Sequence, residues 1–268
     1  MNPPLAESKR APWYGDWQNG RHVRMFDTRS RMSDRALVRH YGRFSDVLLF
    51  DEAVRELQAE TALEVGCATG EFYRYLRQKH PALRYTGLDL SEAAIARARQ
   101  KYPEASIAAS RPERSVQENL EALKLPPRHA LVYSKDVVHH QTQPFAFIEE
   151  LLHVASDALI LRTRTRDAGA TVLDPELSCQ YTYDGWVPYI VLNADELVRF
   201  FQQRSPGCEL RLLKERGVLG GVKRRFLPKE CYLPETGTAE TTVGIFLKTK
   251  TPGRVEIRDV PPDGAAVA

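Results

Sequence analysis

The feature that most constrains the fold is a strand-and-helix alternation that runs from Ala62 to Arg164. Short apolar runs alternate there with segments whose apolar residues have helical spacing. Such βαβ units build a parallel sheet with helices on both faces, and the right-handed crossover rule favours a doubly wound arrangement. The sequence therefore predicts an α/β fold. Its predicted strands are 62–65, 83–90, 106–110, 129–134 and 158–164, and its predicted helices are 71–79, 91–102, 114–123 and 144–154.

The first predicted strand runs into a glycine-bounded turn within the stretch LEVGCATGEFYRYL. Gly66 and Gly70 can adopt positive φ, and the helix that follows offers unpaired N–H groups and the positive end of its dipole. Asp89 ends the second predicted strand, where a carboxylate can bridge two ribose hydroxyls. The glycines alone are also compatible with a plain strand-to-helix turn. Together with Asp89 they favour a cofactor of the adenosine type at the carboxyl ends of the strands.

Composition narrows the class of protein. A chain of 268 residues with 43% apolar residues can form one large domain, and a net charge of +3 does not indicate a nucleic-acid-binding protein. No stretch reaches the roughly 18 consecutive apolar residues of a membrane span, and the polar N-terminus lacks the apolar segment of a secretory signal. The four cysteines form no C-x-x-C pair. We therefore expect no metal site, no membrane partner and a cytoplasmic protein with reduced thiols.

The flanking segments suggest three parts. We expect an N-terminal arm and helical cap over 1–58, a main domain over 59–252 and a C-terminal tail over 253–268. The first thirty or so residues show no clear period, whereas Ser33 and Ser45 are candidate N-caps of one or two cap helices. Insertions at about 167–192 and 218–240 interrupt the main domain. Loops of that length are often functional.

Three stretches together resemble the class I S-adenosylmethionine-dependent methyltransferases. The glycine turn matches the family motif acidic-x-G-x-G-x-G at Glu64, Gly66 and Gly70, with Ala68 in place of the middle glycine. GLDLSEAAIARAR is similar to the family's second strand and following helix, and SKDVVHH to the segment at strand four. The resemblance covers about residues 60–165 and extends more weakly to the end. It implies a mostly parallel, seven-stranded sheet in which strand seven is antiparallel, between strands five and six.

The resemblance implies S-adenosyl-L-methionine as cofactor and S-adenosyl-L-homocysteine as product. The glycine turn would cradle the methionine part, Asp89 would hold the ribose, and Leu90 would pack on adenine. Ser110 or Arg111 stands where many members carry an acidic residue that meets the adenine amino group. The implied cofactor-binding residues are Tyr41, Glu64, Gly66, Cys67, Ala68, Gly70, Asp89, Leu90, Ser110, Ser134 and Lys135.

The candidate catalytic residues are His139, His140 and Arg164. Methyl transfer needs an aligned acceptor, the exclusion of water and, for some acceptors, a base. Either histidine could be that base, or both could belong to the segment without a catalytic role. Arg164 lies in the stretch RTRTR, which we expect to begin where strand five leaves the sheet. Its guanidinium is either paired or solvated, or it recognises an anionic acceptor. Tyr41 either closes over the cofactor or packs in the core.

The first insertion is the expected source of substrate specificity. It carries four large aromatic residues, which form either a small satellite core or a wall beside an organic substrate. We expect methylation of a small organic acceptor, anionic or aromatic. The alternatives are a methyltransferase acting on RNA or protein, and a non-catalytic protein that keeps the fold and the cofactor. A macromolecular acceptor would favour a broad basic face, whereas the charges here are mixed along the chain. The four aromatic residues are Tyr181, Tyr183, Trp186 and Tyr189.

Overall fold

One large β-sheet forms the centre of the protein. The structure is a computed structural model, which describes residues 23–24, 27–182, 185–217, 219 and 236–262. Its strands are β1 (Thr61–Val65), β2 (Arg84–Asp89), β3 (Ser106–Ala109), β4 (His129–Lys135), β5 (Ala155–Arg166), β6 (Cys179–Thr182), β7 (Gly185–Pro188), β8 (Leu192–Asn193), β9 (Glu209–Arg216), β10 (Ala239–Phe246) and β11 (Val255–Val260).

The strand order identifies the doubly wound arrangement. The sheet runs β11-β9-β10-β5-β4-β1-β2-β3, with β8 paired to the end of β5. β10 is antiparallel to both of its neighbours, and the other pairings of this sheet are parallel. The α/β fold and the antiparallel strand between strands five and six are thus confirmed. The sheet has nine strands instead of the predicted seven, because β8 and β11 add to it. β11 lies within the segment predicted as the C-terminal tail.

Helices cover both faces of the sheet because alternate strand residues point to opposite sides. Leu63 and Val65 of β1 join a core cluster with residues of the helices that follow β3, β4 and β8. Ala62 joins the other cluster, with residues of the cap helices and of the helices that follow β1 and β2. The helices are α1 (Asp34–Tyr41), α2 (Ser45–Leu57), α3 (Glu71–Lys79), α4 (Glu92–Lys101), α5 (Val116–Ala122), α6 (Pro144–Val154) and α7 (Ala194–Arg204).

Strand β5 departs from the prediction at its carboxyl end. The sequence predicts that the strand ends near Arg164, but β5 continues to Arg166, and Arg162 and Arg164 lie opposite Thr242 and Glu240 of β10. Both arginines are buried. A strand can hold buried guanidinium groups when counter-charges accompany them. Here the counter-charges come from other elements, so the local sequence did not reveal them.

The helical cap is present as two helices, α1 and α2. Ser33 caps α1 as predicted, with its hydroxyl accepting from the backbone N–H of Ala36. Ser45 is not the cap of α2, because Phe44 occupies that position. The Ser45 hydroxyl instead donates to Glu215 Oε1 at 2.5 Å, which ties the cap to the sheet.

Parts of the predicted flanks and insertions lie outside the described residues. These parts are 1–22 and 25–26 of the arm, 183–184 of the first insertion, 218 and 220–235 of the second, and 263–268 of the tail. Residues Asp27–Arg31 form a 3₁₀ helix. Within the described part of the chain, none of the helices has the length and apolar character needed to cross a bilayer.

Candidate active site

The glycine turn after β1 places backbone atoms directly at the cavity. Gly66 has φ +93°, and a Cβ placed on it would collide with the side chain of Val137. Both Gly66 and Cys67 donate their N–H groups to the carbonyl of Leu88, at 2.8 and 3.0 Å. Gly70 has φ +78° and precedes α3. Only a residue without a side chain fits at Gly66, and the space in front of it stays open.

Ala68 occupies the place of the family's middle glycine with a left-handed backbone. Its φ is +46°, a conformation that costs a non-glycine residue about 1–2 kcal/mol. The Ala68 N–H donates to Asp89 Oδ2 at 2.8 Å. The left-handed conformation is less favourable for alanine than for the family's glycine. This hydrogen bond to β2 stabilises the turn in that conformation.

Asp89 ends β2 beside this turn, and its carboxylate is held by backbone groups. Oδ2 accepts from Ala68 and Oδ1 accepts from the N–H of Ser91 at 2.8 Å. Burial raises the pKa of Asp89, and the two backbone hydrogen bonds oppose that rise. Each carboxylate oxygen can accept more than one hydrogen bond. The geometry therefore leaves capacity for the two hydroxyls of a ribose.

Glu64, the acidic residue of the turn motif, is buried next to Tyr85. The Tyr85 hydroxyl donates to Glu64 Oε2. Burial raises the pKa of Glu64 to about 8, although the Tyr85 hydrogen bond acts in the opposite direction. Burial therefore favours the uncharged form of this side chain. Tyr85, which no sequence pattern indicated as a site residue, lies on β2 opposite Ala62.

The residues predicted at the end of β4 have unexpected partners. The Ser134 hydroxyl donates to the carbonyl of Val65 at 2.9 Å. Lys135 pairs with the buried Asp46 of α2 at 3.1 Å, and its Nζ lies 3.8 Å from the centre of the Phe44 ring. Lys135 is thus held by the cap, through charge and through a cation–π contact.

Tyr41 of α1 reaches the cavity from the cap side. It is 4% exposed, and its ring centre lies 5.4 Å from that of Tyr75 and 6.0 Å from that of Phe72. The Arg29 guanidinium lies 5.7 Å from the same ring. Tyr41 is therefore both part of the aromatic core and part of the cavity lining.

The two predicted histidines lie in a 3₁₀ helix, Val138–His140. The carbonyl of Pro188 lies 2.8 Å from His140 Nδ1, and a carbonyl can only accept, so Nδ1 carries the hydrogen. The other nitrogen, Nε2, is then the basic one in the neutral ring. His139 is 1% exposed and packs against His140 and Tyr189, with ring centres 4.1 and 4.9 Å apart.

Arg164 lines the cavity, and each of its three side-chain nitrogens contacts an acceptor. Nε donates to the Tyr189 hydroxyl at 2.9 Å, Nη1 donates to Asp136 Oδ1 at 2.8 Å, and Nη2 lies 3.2 Å from Glu240 Oε1. Two acidic residues that follow the RTRTR stretch in the sequence, Asp167 and Asp174, are not used in these contacts. Asp167 pairs with Lys214 and Arg216 instead.

Asp136, which sequence reasoning missed, follows β4 directly and has φ +58°. A non-glycine residue in this conformation is a feature often found at functional sites. Burial opposes its ionisation, but Arg164 and Arg162 outweigh burial and hold the pKa of this carboxyl well below its usual range. An acidic residue immediately after a central parallel strand was the available signal.

The first insertion closes the cavity on the side of β5. Strands β6 and β7 form an antiparallel hairpin. Gln180 of β6 and Tyr189, which follows β7, line the cavity. Trp186 is 4% exposed and does not line it. Tyr183 lies outside the described residues, and so does the side chain of Tyr181. Of the four aromatic residues, Tyr189 is therefore the one seen at the predicted wall.

All these groups surround one cavity of about 550 Å³, a volume within the range of small-molecule sites. Leu90 and Phe147 supply apolar surface to it. Within the described ranges, no cluster of His, Cys, Asp and Glu side chains could hold a metal ion. Gly70 and Ser134 are the predicted site residues that do not line the cavity. Those that do are Tyr41, Glu64, Gly66, Cys67, Ala68, Asp89, Leu90, Ser110, Lys135, His139, His140 and Arg164.

The end of the cavity at β1 and β2 fits an adenosine-type cofactor. The cradle at Gly66 would be filled by any Cβ, and the Asp89 carboxylate faces the cavity with capacity to accept further hydrogen bonds. Leu90 and Ser110 follow the next strands in the sheet order, beside that carboxylate. Ser110 donates its N–H to the carbonyl of Asp89 at 2.9 Å.

Comparison with known proteins agrees with this geometry. A family model described as a methyltransferase domain matches residues 63–158. No curated protein sequence matches the chain significantly.

Several solved structures share the fold. The N-terminal domain of EvdMO1, solved with S-adenosylhomocysteine and D-fucose, is 18% identical with a TM-score of 0.52, over 75% of this chain and 81% of that one. The plantazolicin methyltransferase BamL, in complex with a triazolic desmethylPZN analog and S-adenosylhomocysteine, is 15% identical with a TM-score of 0.52, over 88% and 94% of the two chains. An O-methyltransferase from a trans-AT polyketide synthase of Brevibacillus brevis is 10% identical with a TM-score of 0.52, over 90% and 82%.

Proposed function

We propose that this chain, a class I S-adenosylmethionine-dependent methyltransferase, methylates a small organic acceptor that binds at the β4–β5 end of its cavity. The observation that carries the proposal is the continuity of the cavity. Its lining runs from Asp89 and the Gly66 turn to Arg164, Gln180 and Tyr189. A cofactor at the first end leaves the second end for another small molecule.

The residues at the β1–β2 end of the cavity have roles in cofactor binding. Asp89 holds the ribose, the turn at Gly66 and Ala68 accommodates the methionine part, and Leu90 packs against adenine. When bound, S-adenosylmethionine would supply a sulfonium-activated methyl group for transfer to a lone pair of the acceptor, with S-adenosylhomocysteine as the product. The protein aligns the two molecules and keeps water out.

The acceptor-side roles are assigned to the residues beyond β4. The basic nitrogen of His140, set by the Nδ1 contact with Pro188, is the candidate to take a proton from the acceptor. His139 packs between His140 and Tyr189 and supports them. Tyr189 and Phe147 offer aromatic surface to an organic acceptor. Arg164, whose nitrogens all contact protein acceptors, supports an anionic acceptor less well than an aromatic one.

The proposal is tested in two steps with the full chain. Calorimetry should first detect binding of S-adenosylhomocysteine, and Asp89→Ala should weaken it. A release assay for S-adenosylhomocysteine should then find turnover with small phenols, alcohols or amines. Turnover with RNA or protein alone would contradict the small-molecule assignment. Tight cofactor binding without turnover of any acceptor would support the non-catalytic alternative.

A further inference from the structure

The acceptor end of the cavity carries a negative charge that the proposed chemistry has not yet used. Asp136 lines it, and its side chain is 35% exposed. Its Oδ1 accepts from Arg164 Nη1 at 2.8 Å, and its Oδ2 lies 3.5 Å from Arg162 Nη1. Each carboxylate oxygen has capacity for a further donor. A ligand beside Asp136 would therefore be stabilised by offering a hydrogen-bond donor.

The cations near Asp136 are engaged with the protein's own acceptors. Arg164 contacts Tyr189, Asp136 and Glu240. Lys135 pairs with Asp46 at 3.1 Å and lies over the Phe44 ring. A carboxylate or phosphate ligand would have to displace one of these partners and leave its charge uncompensated. Such an exchange is unfavourable in a largely buried site.

Gln180 adds a second acceptor at the cavity. It is 4% exposed and lines the cavity from strand β6. Its Oε1 is buried and has no hydrogen-bond partner among the residues that the structure describes. A buried amide oxygen without a partner is destabilising. A donor on a bound ligand would relieve that cost once the amide turns towards it.

We infer that the acceptor presents a hydrogen-bond donor, a hydroxyl or an amine, to Asp136 and Gln180, and that a carboxylate or phosphate is not its recognised group. This inference rests on the proposed function and narrows its substrate class. It also gives different roles to two of the carboxylates that line the cavity. Asp89 serves the ribose, and Asp136 serves the acceptor.

The test uses three probes that share a ring and differ in one polar group: benzylamine, benzyl alcohol and benzoate. Their binding is measured by ligand-observed NMR with the full chain saturated with S-adenosylhomocysteine. Because a hydrogen bond to a charged group contributes about 1.5–3 kcal/mol, we expect benzylamine to bind at least about tenfold more tightly than benzoate. Benzyl alcohol should bind more tightly than benzoate by a smaller factor.

Two variants identify the residues responsible. Asp136→Asn removes the charge, and asparagine tolerates positive φ, so the backbone conformation is kept. It should reduce the preference for benzylamine over benzoate about tenfold. Gln180→Leu has similar size and leaves the ion pairs intact. It should weaken benzyl alcohol about threefold to tenfold, the range for a neutral hydrogen bond. If Asp136→Asn does not fold, Gln180→Leu decides the question.

Asp167→Asn is the matched control. Asp167 is also paired with two cations and is 41% exposed, but it does not line the cavity. This variant should bind all three probes as the wild type does. Equal or tighter binding of benzoate, no binding of any probe, or a preference that survives in both variants would overturn the inference. Calorimetry on the same samples separates this result from failure of the proposed function, which would appear as loss of S-adenosylhomocysteine binding by the wild type.

Discussion

Two of the carboxylates that line the cavity, Asp89 and Asp136, lie in similar places but contact different kinds of partner. Asp89 ends β2 and Asp136 follows β4, on the two sides of β1 in the sheet. Asp89 accepts hydrogen bonds from the backbone N–H groups of Ala68 and Ser91. Asp136 instead contacts the guanidinium groups of Arg164 and Arg162.

The two carboxylates show that one part of a site can be held by the local backbone, whereas another part is held by side chains that are distant in the sequence. The partners of Asp89 belong to the glycine turn and to its own following residues, so a short motif determines them. The partners of Asp136 come from β5, and those arginines also contact Glu240 of β10. We therefore expect the cofactor end to respond to changes in local backbone, and the acceptor end to changes in a buried ion-pair network.

The largest expected effect is at the glycine turn. Gly66→Ala should abolish detectable binding of S-adenosylhomocysteine in calorimetry, because the added Cβ collides with Val137 next to the cofactor cradle. Gly207→Ala is the matched control. Gly207 has φ +83°, and no atom of the described residues lies within 4 Å of an added Cβ. Backbone strain is then similar in the two variants, and they differ in the collision at Gly66. Normal binding of S-adenosylhomocysteine by Gly66→Ala would show that the cofactor binds elsewhere.

The second effect is on stability at the acceptor end. Arg164 is buried, but Asp136 and Glu240 are 35% and 34% exposed and keep Arg162 as a partner. Arg164→Met should therefore lower the free energy of unfolding by about 1–3 kcal/mol, less than the value of about 3–5 kcal/mol for a fully buried pair. Denaturant titration measures this value. Arg216→Met is the control, because Arg216 also bridges two aspartates but is 37% exposed, and exposed pairs contribute about 0–1 kcal/mol. A similar loss of unfolding free energy in the two variants would show that the buried ion pairs contribute no more to stability than the exposed ones.

A smaller effect is expected at Asp89, the carboxylate that we propose holds the ribose. Asp89→Ala should weaken S-adenosylhomocysteine at least about tenfold, since hydrogen bonds to charged groups contribute about 1.5–3 kcal/mol. Asp136→Asn should leave this affinity unchanged. Calorimetry of both variants compares the two carboxylates directly. Unchanged affinity in Asp89→Ala would contradict the proposal that the carboxylate at the end of β2 binds the ribose.

The smallest effect is the acid response of Asp136. Its pKa is held well below the usual range in the folded protein, because Arg164 and Arg162 outweigh the effect of burial. A depressed carboxyl pKa stabilises the fold above the unfolded pKa near 3.9, and this contribution is lost as pH falls towards the folded pKa.

Wild type should therefore lose up to about 1 kcal/mol more than Asp136→Asn between pH 5 and pH 3. The value is an upper bound, since the side chain is 35% exposed and partly screened. Thermal unfolding at several pH values measures it. A parallel acid response in the two proteins would contradict the low pKa.

The sequence predicted the elements whose signals are local. The alternation of strands and helices, the glycine turn and the position of Asp89 follow from periodicity and spacing, and the structure contains α3 and α6 with the predicted bounds. Four strands were missed. β6 and β7 form a hairpin inside the first insertion, β8 has only two residues, and β11 lies at the exposed edge of the sheet within a polar segment.

The acceptor end could be predicted only in part. His139, His140 and Arg164 were predicted and line the cavity, but their contacts were not predicted. Arg164 meets Asp136 and Glu240, and each lies far from it along the chain. Gln180 carries no sequence signal at all, since its significance comes from burial in a hairpin against the cavity. Long-range pairing of this kind requires the folded structure.

The most direct test of the account is a crystal structure of the protein with S-adenosylhomocysteine bound. We expect the ribose hydroxyls at the Asp89 carboxylate, the homocysteine part against Gly66 and Ala68, and an open space between the sulfur and the groups Asp136, His140 and Gln180. A ligand whose ribose contacts another carboxylate, or whose homocysteine part occupies the space beside Gln180, would contradict the division of the cavity into a cofactor end and an acceptor end.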